Sequence, residues 1–441
     1  MLPESGLETV QAELKRLQDE NRRLRESASF RLGHLLVSAA QSPRRMLSLP
    51  VDLVRLGAEL RRGKTFSDWV PRQCAMVREQ WHSLACDLRL RNDGAFVFLF
   101  SGTTFIQGTR GNRPIRQAQA LLGRKVPVLF SYHRSRPLDD LPVSANPSLI
   151  QSPVDVTMQL MEEFATEDLG ELRKLFIVSY PYPGIERYIA LFRSNGWKII
   201  YDCRDDWEEF AKVGMARWFD AEVESRLVAQ VDRTYCVSTP LVAKMQRLAP
   251  GSQVALMPNA VETDFLPPDY RHEPQSSPPI VGYFGHLSSA WFNWDAFEEI
   301  ARRLPQYRFE IIGHSAPENR NLPPNVELLG PKPWQELHRY ARRWSAAIIP
   351  FRIGALSDGV DPIKIYEYLS FGLPVVSFRM PQIRNYPYTV TVETVDAFCN
   401  ALERACGTVV ERGVIDAFLA RNTWEVRAEE LLQILDEKMG R

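Results

Sequence analysis

From residue 94 onward, short and almost wholly apolar runs alternate with longer stretches whose apolar residues recur every three or four positions. Ala95–Ser101 (AFVFLFS), Val126–Tyr132 (VPVLFSY), Leu175–Tyr180 (LFIVSY), Lys198–Tyr201 (KIIY) and Arg233–Ser238 (RTYCVS) are runs of the first kind. So are Ile280–Phe284, Phe309–Ile312, Val326–Leu329, Ala346–Ile349 and Pro374–Phe378. Strands buried on both faces read this way, and helices between them predict parallel sheets covered on each side. Leu266–Pro279, LPPDYRHEPQSSPP, interrupts the alternation with five prolines and two serines and predicts a linker. The chain therefore divides into Rossmann-like domains at 65–265 and 280–414, followed by a helical segment, 415–441. Such domains bind ligands at the carboxyl ends of their strands, so the expected site is a cleft between them.

The first 64 residues follow other patterns. Leu7, Val10, Leu14, Leu17, Asn21 and Leu24 form a heptad seam, with an amide where a buried polar group sets register. Two readings stay open: a dimerisation coiled coil, or an amphipathic helix packed on its own chain. Residues 30–64 mix leucines with seven basic and two acidic residues, broken by Pro43 and Pro50. That segment suits either an anionic membrane surface or helices packed on the first domain.

Composition removes several classes. The 441 residues carry 54 basic and 54 acidic side chains, so net charge offers no case for nucleic acid. Six cysteines, at 74, 86, 203, 236, 399 and 406, form no CxxC pair and no disulfide framework. The N-terminus lacks a basic start followed by an apolar stretch, and no apolar run approaches the ~20 residues of a membrane span. These features predict a cytoplasmic protein, peripheral on the inner membrane if residues 30–64 bind lipid.

The chemistry concentrates in DPIKIYEYLSFGLP, Asp361 to Pro374. A helix opening there presents backbone N–H groups and a positive dipole to the cleft, which suits a diphosphate. Glu367, one turn in, is placed to accept both hydroxyls of a ribose. Lys364 shares its face and can neutralise phosphate. In the first domain, Asp202, Asp205 and Asp206 follow a strand end, where a carboxylate can deprotonate or orient an acceptor hydroxyl. Asp205 and Asp206 equally suit capping of the helix that begins at WEEF. Thr103, Arg110 and Arg113, in the loop after the first strand, are candidate acceptor contacts, the arginines for a phosphate-bearing acceptor. GYFGHLSS lacks the GxGxxG spacing of a dinucleotide fingerprint, and no cofactor or metal is expected.

KIYEYLSFGLPVVS resembles the donor-site helix of the GT-B glycosyltransferases grouped as family 4, and within them the bacterial cell-surface polysaccharide enzymes. PIVGYFGHL, RFEIIGH, NVELLGPKPWQEL, AAIIPFR, YDCRDDWEEF and VALMPNAVETDFL resemble further pieces of that group in order, over about residues 94–438. The resemblance implies a two-domain GT-B fold with a terminal helix crossing back to the first domain. It implies a nucleotide-sugar donor on Glu367, Lys364, Arg352, Asp361, Gly285, His286 and Tyr366, and a glycan or lipid-linked acceptor opposite. The family's helix and loop often pair two glutamates eight positions apart, and the first falls on Gly359, flanked by Asp358 and Asp361. The family's Arg/Lys pair after the first donor-domain strand is absent from GHLSSAWFNW. The rival readings are a GT-B-fold epimerase or phosphorylase, and a non-catalytic scaffold with a decayed donor site.

Overall fold

The computed structural model describes residues 49–51, 53 and 66–437, apart from 92, 108–110, 135–138, 275 and 319. The heptad seam, nearly all of the basic segment and Arg110 lie outside the described residues. The chain falls into two compact units, 1–75 and 76–441. The first is described at a few helical positions and at the start of helix α1 (Phe66–Arg89), which runs on into the second.

The second unit contains two parallel sheets. In the first, β1 (Ala95–Phe100), β2 (Val128–Tyr132), β3 (Leu149–Pro153), β4 (Arg173–Val178), β5 (Trp197–Cys203), β6 (Arg233–Cys236) and β7 (Val254–Leu256) lie in the order 3-2-1-4-5-6-7. In the other, β8 (Ile280–His286), β9 (Arg308–His314), β10 (Val326–Gly330), β11 (Trp344–Ile349), β12 (Val375–Phe378) and β13 (Thr389–Val392) take the order 10-9-8-11-12-13. Strand order reverses at β1/β4 and at β8/β11, and the loops after these strands open the crevices where Rossmann-like sheets bind ligands. Three strands were not expected: β3, β7 and β13. All are sheet edges, and their sequences (LIQSP, VAL, TVTV) are too short or too polar to read as buried runs.

Aromatic stacking fills the first core. Phe98 stacks on Phe176 at 4.8 Å and Phe176 on Phe192 at 4.3 Å. Trp81 of α1 packs against Phe96 and Phe164. Four helices position the cleft: α2 (Arg113–Gly123), α3 (Trp207–Lys212), α4 (Thr239–Leu248) and α5 (Ile363–Ser370). Each of the first three begins on a side-chain cap, Asn112, Asp206 and Ser238 respectively, whereas α5 begins at Pro362 with none.

The terminal segment, expected as a helix within 415–441, is not a single helix. It forms α6 (Arg412–Leu419) and α7 (Trp424–Gln433), with a break where Asn422 O accepts from Val261 N and Val261 O from Trp424 N. Thr423 caps the new helix, accepting from Val426 N. The break turns Trp424, Ala428, Leu431 and Ile434 into the core of the first sheet, beside Ile115, Ala118 and Leu121 of α2. The proline-rich connection is tied down along the second domain: Tyr270 Oη donates to Phe371 O and Glu273 N to Arg342 O.

Candidate functional site

On the second domain, Lys364 and Glu367 share one face of α5, both half-buried. Lys364 Nζ lies 4.5 Å from the ring centre of Tyr283 and 4.6 Å from that of Phe351, and donates to Tyr283 Oη at 3.0 Å. Burial lowers its pKa to about 7, against the pull of Glu367. Gly285 faces it directly. This residue has φ +145°, a backbone conformation that favours glycine, and a Cβ there would come 2.5 Å from Lys364 Nζ and push the ammonium aside. Glu367 Oε1 accepts from Trp334 Nε1 at 3.1 Å. Burial raises the Glu367 pKa, while Trp334, Arg116 and Lys364 oppose the rise.

Two residues of this pocket carried no role in the sequence reading. Arg116 of α2 crosses from the first domain, its guanidinium 4.9 Å above the Trp334 ring and ion-paired with Glu262. Trp334 stands in NVELLGPKPWQEL, a quoted stretch in which aromaticity alone signalled nothing. His286, at the end of β8, meets His314 of β9 edge to face at 4.9 Å, and burial, then His314 and Lys364, lower its pKa. Arg352 stands apart. It is exposed, donates to Ser289 O and lies 3.7 Å from Asp295.

On the first domain, the three aspartates after β5 have different surroundings. Asp202 is fully buried and receives Arg113 through Nε at 3.0 and 2.9 Å and Nη2 at 2.7 Å, with Gln117 Nε2 at 3.2 Å. Arg113 also donates to Pro258 O and Asn259 Oδ1. Burial works to lower the Arg113 pKa, but Asp202 beside it raises it above the usual value. This pair is a cross-link between α2, β5 and the 258–259 turn. Asp206 caps α3, accepting from Glu209 N at 3.2 Å and pairing with Lys244 at 2.6 Å. Asp205 remains half-buried, with Arg204 Nε 3.7 Å away and no hydrogen bond to its carboxylate among those described. Burial raises its pKa to about 6, with Arg204 and Arg113 opposing. Thr103 Oγ1 accepts from Asn112 Nδ2, which steadies the loop after β1.

The domains meet through buried polar contacts. Asn259 N donates to Asp361 Oδ2 at 2.6 Å, and Asn259 Nδ2 donates to Asp361 O. Asp361 also accepts from Tyr366 Oη at 2.8 Å and Tyr386 Oη at 3.1 Å. Asp361 and Tyr366, expected as donor contacts, therefore sit in the seam between domains, at the start of α5. Ser238 Oγ donates to Gly359 O at 2.9 Å. A Cβ on Gly359 would lie 3.1 Å from Asp206 Cβ. A side chain at 359 would therefore press against the residue that caps α3.

Residues 278–407 match the family model described as glycosyl transferases group 1. The second domain is similar to that family. A Bacillus subtilis (strain 168) protein, provisionally named the teichuronic acid biosynthesis glycosyltransferase TuaH, is 24% identical over 253 residues. That match covers 52% of this chain and 63% of the relative, so the chain spans less than two thirds of the curated relative's length. Among solved structures, sucrose-phosphate synthase from Thermosynechococcus elongatus superposes with TM-score 0.56 at 15% identity, over 78% of this chain and 98% of its own. The lipopolysaccharide outer core galactosyltransferase WaaB gives 0.52 at 13%, over 78% and 99%. Such likeness shows the fold, and the fold is GT-B. Lys364, Glu367, Trp334 and Gly285 all lie within the matched group 1 domain.

Proposed function

We propose that this protein transfers a sugar from a nucleotide-sugar donor to a glycan or lipid-linked acceptor in the biosynthesis of a bacterial surface polysaccharide. The observation that carries this reading is the uncapped start of α5, with Lys364 and Glu367 on one cleft-facing side and the uncommitted carboxylate of Asp205 on the other domain. Glu367, held by Trp334, clamps the ribose. Lys364, the free N–H groups of α5 and the open backbone at Gly285 take the diphosphate and stabilise its charge as it leaves. Asp205 accepts the hydrogen bond of the acceptor hydroxyl and orients it or removes its proton. The surface-polysaccharide assignment is supported by the TuaH name and by the resemblance of the α5 sequence.

A thermal-shift panel of nucleoside diphosphates and nucleotide sugars identifies the donor, and calorimetry of Glu367→Ala tests the site. Loss of hydrogen bonds to a charged group should weaken nucleotide binding by about 1.5–3 kcal/mol. An unchanged affinity would remove Glu367 from the donor pocket.

The same proposal places the enzyme in the cytoplasm, with residues 30–64 on the inner membrane surface and the 7–24 seam pairing two copies. Among the described residues no helix is long and apolar enough to cross a membrane. Deleting residues 1–64 should abolish flotation with anionic liposomes and halve the solution mass; equal flotation of both proteins sinks the membrane role.

A further inference from the structure

Arg204 follows β5 between Asp202 and Asp205, and its surroundings are unlike those of Arg113. The Arg113 guanidinium is matched by Asp202, Pro258 O and Asn259. The Arg204 side chain is only 11% exposed, yet its one hydrogen bond among those described is a long one, Nη2 to Gly102 O at 3.4 Å. Its Nε is buried with no acceptor, and the nearest carboxylate, Asp205, is 3.7 Å away. A guanidinium carries several N–H donors, and burying it with so few partners is unfavourable unless an acceptor arrives. The indole beneath it, Trp207 at 5.2 Å, also has a buried N–H that donates to nothing described.

An aromatic wall adjoins this charge. Tyr180 is buried against Phe100 and touches His133 at 5.3 Å, Tyr182 at 5.7 Å and Trp218 at 5.2 Å. Tyr182, Trp218 and His133 are half-buried and reachable. Burial and then the charge of Arg204 lower the His133 pKa, with Asp155 opposing, so the Arg204 guanidinium and the His133 ring lie close enough to interact.

We propose that Arg204 binds an anionic group on the acceptor, a phosphate or a sugar carboxylate, while the adjoining sugar ring stacks on Tyr182 and Trp218. The inference rests on the transferase reading and gives its acceptor a chemical class. A guanidinium fork matches two oxygens of either anion, and the flat aromatic faces match the C–H face of a sugar. It also moves acceptor recognition from Arg113, whose charge Asp202 already neutralises, to the arginine whose buried Nε lacks an acceptor.

The test titrates methyl phosphate and glucuronate, separately, into the full-length protein saturated with the nucleoside diphosphate chosen by the thermal-shift panel, so that the donor site is filled. The wild type should bind at least one of them, with which one identifying the anion. Arg204→Gln should weaken that binding at least tenfold, and Arg204→Lys should recover part of it. Trp218→Ala should weaken glucuronate and spare methyl phosphate. Nucleotide affinity should stay within twofold in every variant, and an unchanged urea midpoint reports that the first domain folds; should Arg204→Gln not fold, Arg204→Lys decides, since it keeps the charge and loses the fork. No binding of either anion, or binding indifferent to Arg204, overturns the proposal. A wild type that binds no nucleotide overturns the transferase reading instead.

Discussion

At the scale of single residues, environment separates side chains that look equivalent in sequence. Asp202, Asp205 and Asp206 read as one acidic cluster. In the fold, the first is locked to Arg113 and the second is half-buried beside Arg204. The third is a helix cap, a role worth about 1 kcal/mol. The ammonium of Lys364 gives the sharpest residue-level prediction. Its pKa near 7 means that it is charged below pH 7 and increasingly neutral above it in the free protein. Binding a diphosphate requires the charged form. Nucleotide affinity should therefore be flat below pH 7 and fall by up to about tenfold per pH unit above it, with proton uptake on binding. Calorimetry across pH 6–9 in buffers of different ionisation enthalpy measures both, and Lys364→Met should abolish the slope.

Secondary-structure elements set which of these groups can meet. The Arg113–Asp202 pair joins the first residue of α2 to the end of β5, and removing one partner strands a buried charge. Asp202→Ala should destabilise the first domain by about 3–5 kcal/mol, read as an earlier urea midpoint. The paired change Asp202→Leu with Arg113→Met should recover much of that loss, because neither charge then remains. Element type was legible wherever apolar runs were buried on both faces, as in AFVFLF and VLFSY. It failed at β3, β7 and β13, where edge position relaxes the demand for apolar residues. It failed also at Ala420–Thr423, where helical periodicity continues across a break that is made by hydrogen bonds to Val261, far away in the chain.

For the whole molecule, the decisive contacts run between domains. Asn259 accepts from Arg113 and donates to Asp361 just before α5, so the starts of α2 and α5 share one buried network. Asn259→Ala should loosen this seam. Turnover should fall while nucleotide affinity, set within the second domain, changes little; small-angle scattering should show a larger radius of gyration. A drop in affinity equal to the drop in turnover would argue against a coupling role.

The amino-acid pattern alone determined the two parallel sheets, the proline-rich connection and the existence of α5, because each depends on local periodicity or on a contiguous motif. Glu367 and Lys364 were visible for that reason. Their tertiary partners were not: Trp334 and Arg116 reach Glu367 from about 30 and 250 positions away. Only the folded chain decided that Gly359 packs close against Asp206, that Asp202 is committed to Arg113 and that Arg204 has a buried N–H without an acceptor. Those facts depend on burial and on which atoms lie within hydrogen-bonding distance across the cleft, and sequence spacing encodes neither.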